Sequence, residues 1–482
     1  MLRRLTIERT TIFILFMLVF ALASRVPVDT DTWWHLRSGD YMLNTGFITT
    51  DPFSYTMQGA PWINHSWGAQ IILYGFWQLG GMTGLVIYMA GLATLGMFFI
   101  YRMCEGNVYL RAFVIIIGAA TAAVFWSPRP QMLSFLCSTI ALYLLFSFKY
   151  RQKDRLWLYP VLMAIWGNLH AGFAIGFILL GGMIAGEIID KVLNPSSSVL
   201  TWGQIQKLIL VGIVSVAALV INPYGVQILT VPFQTIGIGA LRNFIQEWNS
   251  PNFQGRETWP FVFMVIALLG AVGASKRRLD WTSFVLVSGT IFMALLAGRN
   301  ISVFAVVATP VLTFHLYDVL TQRGWAFQPM RRTTTRMAVI NLLLLGLILF
   351  ASIIKTASVV LPTIVQTTME SALPVKAVTY IREAQLQGAQ FNSYNWGGYL
   401  VYALREHPVF VDGRTDLYGD EFLTQYLQTA IGGDGWRETL EQYDIQWVLI
   451  ETNSGLARRL RDEANWRTAY EDDLAVVFVR EA

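Results

Sequence analysis

The chain has 482 residues, a formal net charge of +4 and 14% charged residues, where an ordinary soluble domain carries about 25%. Its mean hydropathy of +0.47 excludes one soluble globular domain as a description of the whole. The charge is unevenly divided: residues 361–482 hold 18 acidic and 10 basic side chains, net −8, which leaves +12 to the apolar remainder. The positive total therefore describes two unlike parts and gives no reason to expect a nucleic-acid partner. Two cysteines, Cys104 in a short charged loop and Cys137 in an apolar run, make neither a disulfide framework nor a thiolate metal site.

In chain order, Arg3, Arg4 and Arg9 precede an apolar run from Thr11 to Ala23. Ala21-Leu22-Ala23 is similar to a signal-peptidase site, but the run reads as an uncleaved first span, because the segment after it needs an anchor. A hydrocarbon core of ~30 Å takes about 20 apolar residues per helix. On that scale eleven spans are expected, near 10–26, 83–101, 110–126, 130–148, 156–169, 172–190, 206–222, 259–275, 281–298, 301–319 and 337–358. The fifth is short and runs into Gly167 and His170, so the fifth and sixth are open to being a broken pair.

Orientation is read from Lys and Arg in the connections. With the N-terminus inside, the inside segments hold 18 of them (among them Arg3, Arg4, Arg331 and Arg332) and the outside segments hold 6, including Arg25, Arg129, Arg242 and Arg299. Eleven spans then place the last domain outside the cytoplasm, in what reads as a bacterial inner (plasma) membrane protein. Two outside segments are long, 27–82 and 223–258. Both are rich in Trp, Phe, Pro and Gly and suit helices lying in the membrane interface. The expected organisation is a transmembrane domain over 1–360 and an extracytoplasmic α/β domain over 361–482. In the latter, strands are expected at 389–393, 408–412 and 445–451, with helices at 375–386, 420–430, 435–443 and 455–464. A hairpin over 467–480 turns around Glu471-Asp472-Asp473. No glycine-rich phosphate fingerprint follows a strand.

Polar residues at membrane depth are costly and tend to serve a purpose. Here they fall on one side: Asp29, Asp31, His35, Asp51, His65, Arg129, Asn168, His170, Asn222, Glu247, Arg299 and Asn300 are all in segments read as outside, while the inside loops are merely basic. A transporter would place such groups near the midplane in paired broken helices, so this pattern argues for one site at the outer face and against a flippase. Asp29 and Asp31, two apart in a loop, can share a cation, or one can act as a general base. Equally, Asp31 can cap an interfacial helix beginning at Trp33. His65 can donate to a phosphate or sit satisfied in a packed loop. Arg129 in Ser127-Pro128-Arg129-Pro130 and Arg299 in Gly298-Arg299-Asn300 suit phosphate, or serve as snorkelling anchors. Trp166-Gly167-Asn168-Leu169-His170 is a polar break between spans, and Glu247 is a spare carboxylate. In the last domain Trp396 offers a face for stacking on a sugar. Asp412 and Arg414 follow a strand on the same edge, as site residues or as a structural ion pair. That edge is expected to face the first outer loop, across a cavity shared with Asp31.

Taken together, these residues resemble the GT-C superfamily of membrane glycosyltransferases. Asp29 and Asp31 stand where that superfamily has an acidic motif after its first span, and 27–82, with Gly59-Ala60-Pro61-Trp62, is similar to its first outer loop. Tyr394-Asn395-Trp396-Gly397-Gly398-Tyr399 followed by Val411-Asp412-Gly413-Arg414-Thr415 resembles the W-W-D-Y-G segment and downstream D-x-x-T of oligosaccharyltransferase catalytic subunits, with glycine where the motif has aspartate. The resemblance implies a polytopic helical GT-C fold and an inverting transfer of a sugar from a polyprenyl phosphate or diphosphate lipid to a glycan, lipid or protein acceptor. Asp31 or Asp29 would be the base; Arg129, Arg299, His65 and His170 would stabilise the leaving phosphate; His35, Glu247, Trp396, Asp412 and Arg414 complete the substrate-binding set. It also implies a divalent cation as the one candidate cofactor, with Asp29 and Asp31 as its ligands. The competing reading is a catalytically inactive GT-C-like scaffold or subunit of a membrane complex. The sequence leaves donor sugar, acceptor and oligomeric state open.

Overall fold

The computed structural model describes residues 5–195, 199–237, 239, 246–325 and 334–481. Arg3, Arg4, Arg242, Arg331 and Arg332, which enter the orientation count, lie outside the described residues. In hydrocarbon a backbone must satisfy its own polar groups, so long apolar runs become helices. The helices in chain order are α1 (Ile7–Ala23), α2 (Asp31–Asn44), α3 (Trp67–Met103), α4 (Val108–Ala122), α5 (Gln131–Arg151), α6 (Leu158–Leu169), α7 (Ala174–Leu193), α8 (Trp202–Leu219), α9 (Val231–Gly237), α10 (Trp259–Ala274), α11 (Trp281–Leu296), α12 (Ile301–Gln322) and α13 (Thr335–Ser358). Each of the eleven expected spans falls on one of them. Among the described residues eight have the length and composition to cross a membrane, while α6 and α11 are shorter apolar helices and α1 has 17 residues. The second expected span is the latter part of α3, which breaks at Gly81 (φ 53°, ψ −129°). Its first part, from Trp67, belongs to the outside segment 27–82, which is expected to hold interfacial helices.

The described residues form two compact units. The first comprises those within Met1–Arg25, Val86–Leu229 and Gln246–Ser358. Its helices start on side-chain caps that the sequence supplies: Asn107 Oδ1 accepts from the Tyr109 and Leu110 amides, Asp280 Oδ1 from Ser283, and Thr201 with Gln204 makes a reciprocal capping box on α8. Within it α7 packs on α11, α4 on α12, α1 on α13 and α6 on α8. Small residues let helices approach: a Cβ at Gly186 of α7 would lie 2.4 Å from Thr282 Cα of α11. One end of this contact buries an ion pair, Lys149 with Glu187, which Thr282 joins by donating to Glu187 at 2.7 Å.

The second unit holds the described residues within Val26–Leu85, Thr230–Ile245 and Val359–Ala482. Here follow α14 (Pro362–Ala372), α15 (Val375–Glu383), β1 (Ala389–Asn392), α16 (Tyr394–Ala403), α17 (Thr415–Ala430), α18 (Trp436–Gln442), β2 (Ile445–Glu451), α19 (Gly455–Arg461), β3 (Trp466–Glu471) and β4 (Ala475–Arg480). The sheet order is β1-β2-β4-β3. β1 and β2 are parallel, and β4 is antiparallel to both β2 and β3. The central β2 and β4 are nearly all buried, as their Val and Ile content requires. The hairpin turns where Asp472 Oδ1 accepts from the Leu474 and Ala475 amides.

One expected strand is absent. Residues 408–412 make only an isolated bridge, between Val409 and Ser54. Their backbone is satisfied elsewhere: the Phe410 and Val411 amides donate to Asn392 Oδ1, Val409 N donates to Phe53 O, and Tyr55 N donates to Val409 O. A buried backbone group needs one good partner, and here an asparagine side chain and the first loop provide it in place of a neighbouring strand.

Candidate functional site

The predicted site residues fall in two clusters, one in each unit. In the first unit, α5 begins after the turn Ser127–Pro130. Arg129 Nε donates to Ser127 Oγ at 3.1 Å, and Gln131 Nε2 donates to the same oxygen and to Phe125 O. Arg129 Nη2 reaches Glu247 Oε2 at 2.9 Å, and Arg299 Nη1 lies 3.8 Å from Glu247 Oε1. The Arg299 guanidinium also covers the Trp248 ring at 4.3 Å, and Gly298 N donates to Asn249 O at 3.0 Å. One carboxylate therefore gathers two arginines. Burial pushes Glu247 up, but Arg129 and Arg299 outweigh it and bring it down to about 2.

Beside this triad is a cavity of about 80 Å³, with Trp126, Ser134, His170, Arg299 and Asn300 among its lining residues. His170 ends the turn after α6. Its Nδ1 accepts from Gly172 N at 3.1 Å and lies 2.8 Å from Ser134 Oγ, which in turn accepts from Trp166 Nε1 at 2.7 Å. An amide aimed at Nδ1 requires its lone pair, so the ring proton sits on Nε2. The neighbouring asparagines act structurally: Asn168 Nδ2 donates to Ile221 O and Asn222 Nδ2 to Gly167 O, joining the ends of α6 and α8.

In the second unit, α2 starts at Asp31 rather than Trp33. Asp29 Oδ1 accepts from the Asp31 amide at 3.0 Å, and Asp31 Oδ1 accepts from Trp34 Nε1 at 3.2 Å. Asp29 is thus the residue that turns the chain into the helix, and both carboxylates are half-buried. His35 is buried, with Nδ1 3.2 Å from Gln70 Nε2, whose side-chain oxygen accepts from Asn64. His65 Nδ1 lies 2.9 Å from Ser66 Oγ. As cation ligands Asp29 and Asp31 fit poorly. Each has an oxygen already accepting from the protein, and among the described residues no group of three or more His, Cys, Asp or Glu is placed to hold a metal.

The edge carrying 394–399 and 412–416 faces the first loop, as expected, but by direct packing of α16 on α2. Glycine is required there: a Cβ at Gly398 would lie 2.7 Å from Thr30 O, and one at Gly413 would lie 2.1 Å from Asp31 Oδ1. Trp396, expected to stack on a sugar, is 3% exposed and belongs to the core. Arg414 is 1% exposed and forks between Asp412, through Nε at 2.8 Å and Nη2 at 2.6 Å, and Asp51, through Nη1 at 2.5 Å. Tyr418 donates to Asp412 Oδ2 at 3.0 Å, and Trp62 Nε1 donates to Asp416 Oδ2 at 3.1 Å. Asp412 and Arg414 thus form the structural ion pair, with Asp51 as the partner that sequence reading left unassigned.

Ser134, Trp126 and Trp248 were also missed. Ser134 and Trp126 sit in apolar or aromatic stretches where nothing in spacing separates a cavity wall from core, whereas Trp248 sits in the polar run Gln246-Glu247-Trp248-Asn249 and does not line the cavity.

No protein-family model and no curated protein matches the sequence. Solved structures do. The archaeal oligosaccharyltransferase AglB from Archaeoglobus fulgidus, in complex with an inhibitory peptide and a dolichol-phosphate, superposes with a TM-score of 0.59 at 11% identity, covering 92% of this chain and 69% of that one. ArnT from Cupriavidus metallidurans bound to undecaprenyl phosphate gives 0.54 at 14% identity, covering 97% of each chain. At these identities the likeness is one of fold: the chain is a polytopic helical membrane protein with a C-terminal α/β domain, folded like these two structures.

Proposed function

We propose that the chain is a membrane glycosyltransferase that moves a sugar from a polyprenyl-phosphate-type lipid to an acceptor hydroxyl at the outer face, with inversion at the anomeric carbon. The observation that carries this reading is the cavity lined by Arg299 and His170 beside the Arg129–Glu247–Arg299 triad. Guanidinium and imidazole N–H donors suit a phosphate that gains charge as it leaves. Asp31 takes the proton of the acceptor hydroxyl. The acceptor oxygen forms its bond to the anomeric carbon as the carbon–oxygen bond to phosphate breaks, and the electron pair of that bond goes to the phosphate. Asp31 is taken as the base and Asp29 as its alternative, since each already accepts one hydrogen bond, Asp29 from the Asp31 amide and Asp31 from Trp34 Nε1. Gly413, Asp412 and Arg414 are positioning residues: they hold the 412–416 segment against α2 and so fix where Asp31 points. No step is assigned to a metal. The charge count of the connecting segments supports an outer C-terminal domain.

The test is turnover of purified protein with a lipid-linked sugar donor. Asp31→Asn should cut it by the ~10²–10⁴ of general-base loss without lowering the melting temperature. Full activity in Asp31→Asn removes the assignment of the base. No transfer by wild type with any polyprenyl-phosphate sugar favours an inactive scaffold.

A further inference from the structure

We propose that the inside ends of α3, α4 and α5 form a headgroup site for an anionic phospholipid of the inner leaflet, built on Arg102, Arg111 and Arg151. This site is independent of the glycosyltransferase reading; its inside placement rests on the charge of the connecting segments.

Three guanidinium groups converge on the last turn of α3. Arg102 is part of that turn. Arg111, in the first turn of α4, donates through Nη2 to Tyr101 O at 2.6 Å, and its guanidinium lies 3.7 Å from the centre of the Tyr101 ring. Arg151, the last residue of α5, donates through Nη2 to Arg102 O. Two consecutive carbonyls thus hold two arginines beside a third. The bland account is that the arginines only cap a helix end. The free carbonyls of a helix C-terminus supply roughly half a negative charge, which does not balance three cations. Nor does a carboxylate: among the described residues none of the three is in an ion pair. The acids nearest in sequence are used elsewhere, Glu105 by Arg277 at 3.0 Å and Asp154 by Lys207. The residues outside the described set include no Asp or Glu.

Cations gathered in this way suit phosphate, which a guanidinium grips through a fork of N–H donors. The surface beside them makes the phosphate that of a lipid. Leu95, Phe98 and Arg102 recur at helical spacing and share one face of α3. Leu95 is 44% exposed and Phe98 37%, and the Arg102 guanidinium stands 5.9 Å from the Phe98 ring centre. An apolar stripe therefore runs straight into the cations. An acyl chain lying on Leu95 and Phe98 brings its headgroup to Arg102 and Arg151, both exposed, as basic clusters at the inside ends of spans receive anionic lipid. A soluble phosphate would leave the stripe unused.

The test uses the full chain in phosphatidylcholine nanodiscs doped with phosphatidylglycerol, with native mass spectrometry reading which lipid stays bound. Wild type should prefer phosphatidylglycerol at least about tenfold. Arg102→Gln with Arg151→Gln should bring that preference to parity. Lys153→Gln with Arg155→Gln removes as much charge from the connection after α5 without touching the cluster, and should stay within about twofold of wild type. Parity in wild type, or equal loss in both double variants, overturns the site. Displacement of the lipid by inorganic phosphate, but not by chloride of equal ionic strength, assigns the cluster to a soluble anion and overturns it too. Should the double variant fail to fold, Arg102→Gln alone decides, because that side chain makes no hydrogen bond among the described residues. It should lower the preference about threefold, and an unchanged preference counts against the site.

Discussion

Replacing Arg414 by methionine tests how the C-terminal domain is held to the first loop. Arg414 is buried with both its partners: it makes three hydrogen bonds to Asp412 and Asp51, and its guanidinium lies 5.2 Å from the Phe53 ring centre and 5.0 Å from that of Trp62. Methionine fills most of the volume but leaves two carboxylates buried without their cation. Breaking a buried pair from one side costs about 3–5 kcal/mol, most of it the stranded charge. At roughly 2–4 °C per kcal/mol for a unit of this size, the melting temperature of the second unit should fall by about 6–20 °C. The assay is thermal unfolding of purified protein followed by tryptophan fluorescence, since Trp62 and Trp396 report from this unit. The internal control is the triple variant Asp51→Asn, Asp412→Asn, Arg414→Met. It removes the stranded charges and should recover much of the loss, because residues in one network do not add. A single variant melting within about 2 °C of wild type, or a triple variant no better than the single one, would refute the reasoning.

Three further outcomes follow from the same geometry. Glu247 is brought from its ordinary 4.5 to about 2, so its stabilisation is complete above about 4.5 and is lost as pH falls toward 2. Wild type should lose more stability than Glu247→Gln between those values in acid melts, and parallel curves would contradict the triad. Gly413→Ala places a carbon 2.1 Å from Asp31 Oδ1; turnover should drop even where the fold survives, and unchanged activity would detach Asp31 from its proposed role. Cysteines placed at Ser454 and Thr334 should label oppositely with an impermeant maleimide in intact cells, Ser454 reacting; the reverse pattern inverts the proposed topology.

The membrane architecture was legible because a bilayer narrows the choice. An apolar run of the right length has to be a helix, and all eleven expected runs are. The sheet was legible where strands were buried on both faces, as in β2 and β4. It was misread at 408–412, because a β-rich run does not reveal that Asn392, on another element, takes up its amides. The site divides in the same way. Arg129, His170, Glu247 and Arg299 stand out singly as polar residues among apolar ones. What joins them is the packing of helix ends far apart in sequence, and that leaves no local trace. Asp51 is a turn residue, with Oδ1 accepting from the Phe53 amide. Its second task, receiving Arg414, depends on a contact 363 residues away.

The motif likeness in the last domain shows where local reading stops and packing takes over. Tyr394–Tyr399 has glycine where oligosaccharyltransferases have the aspartate of W-W-D-Y-G. Sequence alone presents this as a lost side chain. The structure gives the reason that no side chain fits. A Cβ at Gly397 would lie 2.0 Å from Val411 O, and one at Gly398 would lie 2.7 Å from Thr30 O and 2.9 Å from Trp34 Cδ1. Those neighbours are backbone and a buried ring, which cannot swing aside as the end of a flexible side chain can. An aspartate at either position would force α16 from α2 or from the 411–412 segment, and in each case would disturb the loop that carries Asp31. The likeness therefore extends to the path of the chain and not to the chemistry of that motif. Any acceptor recognised by this protein has to be recognised by other residues.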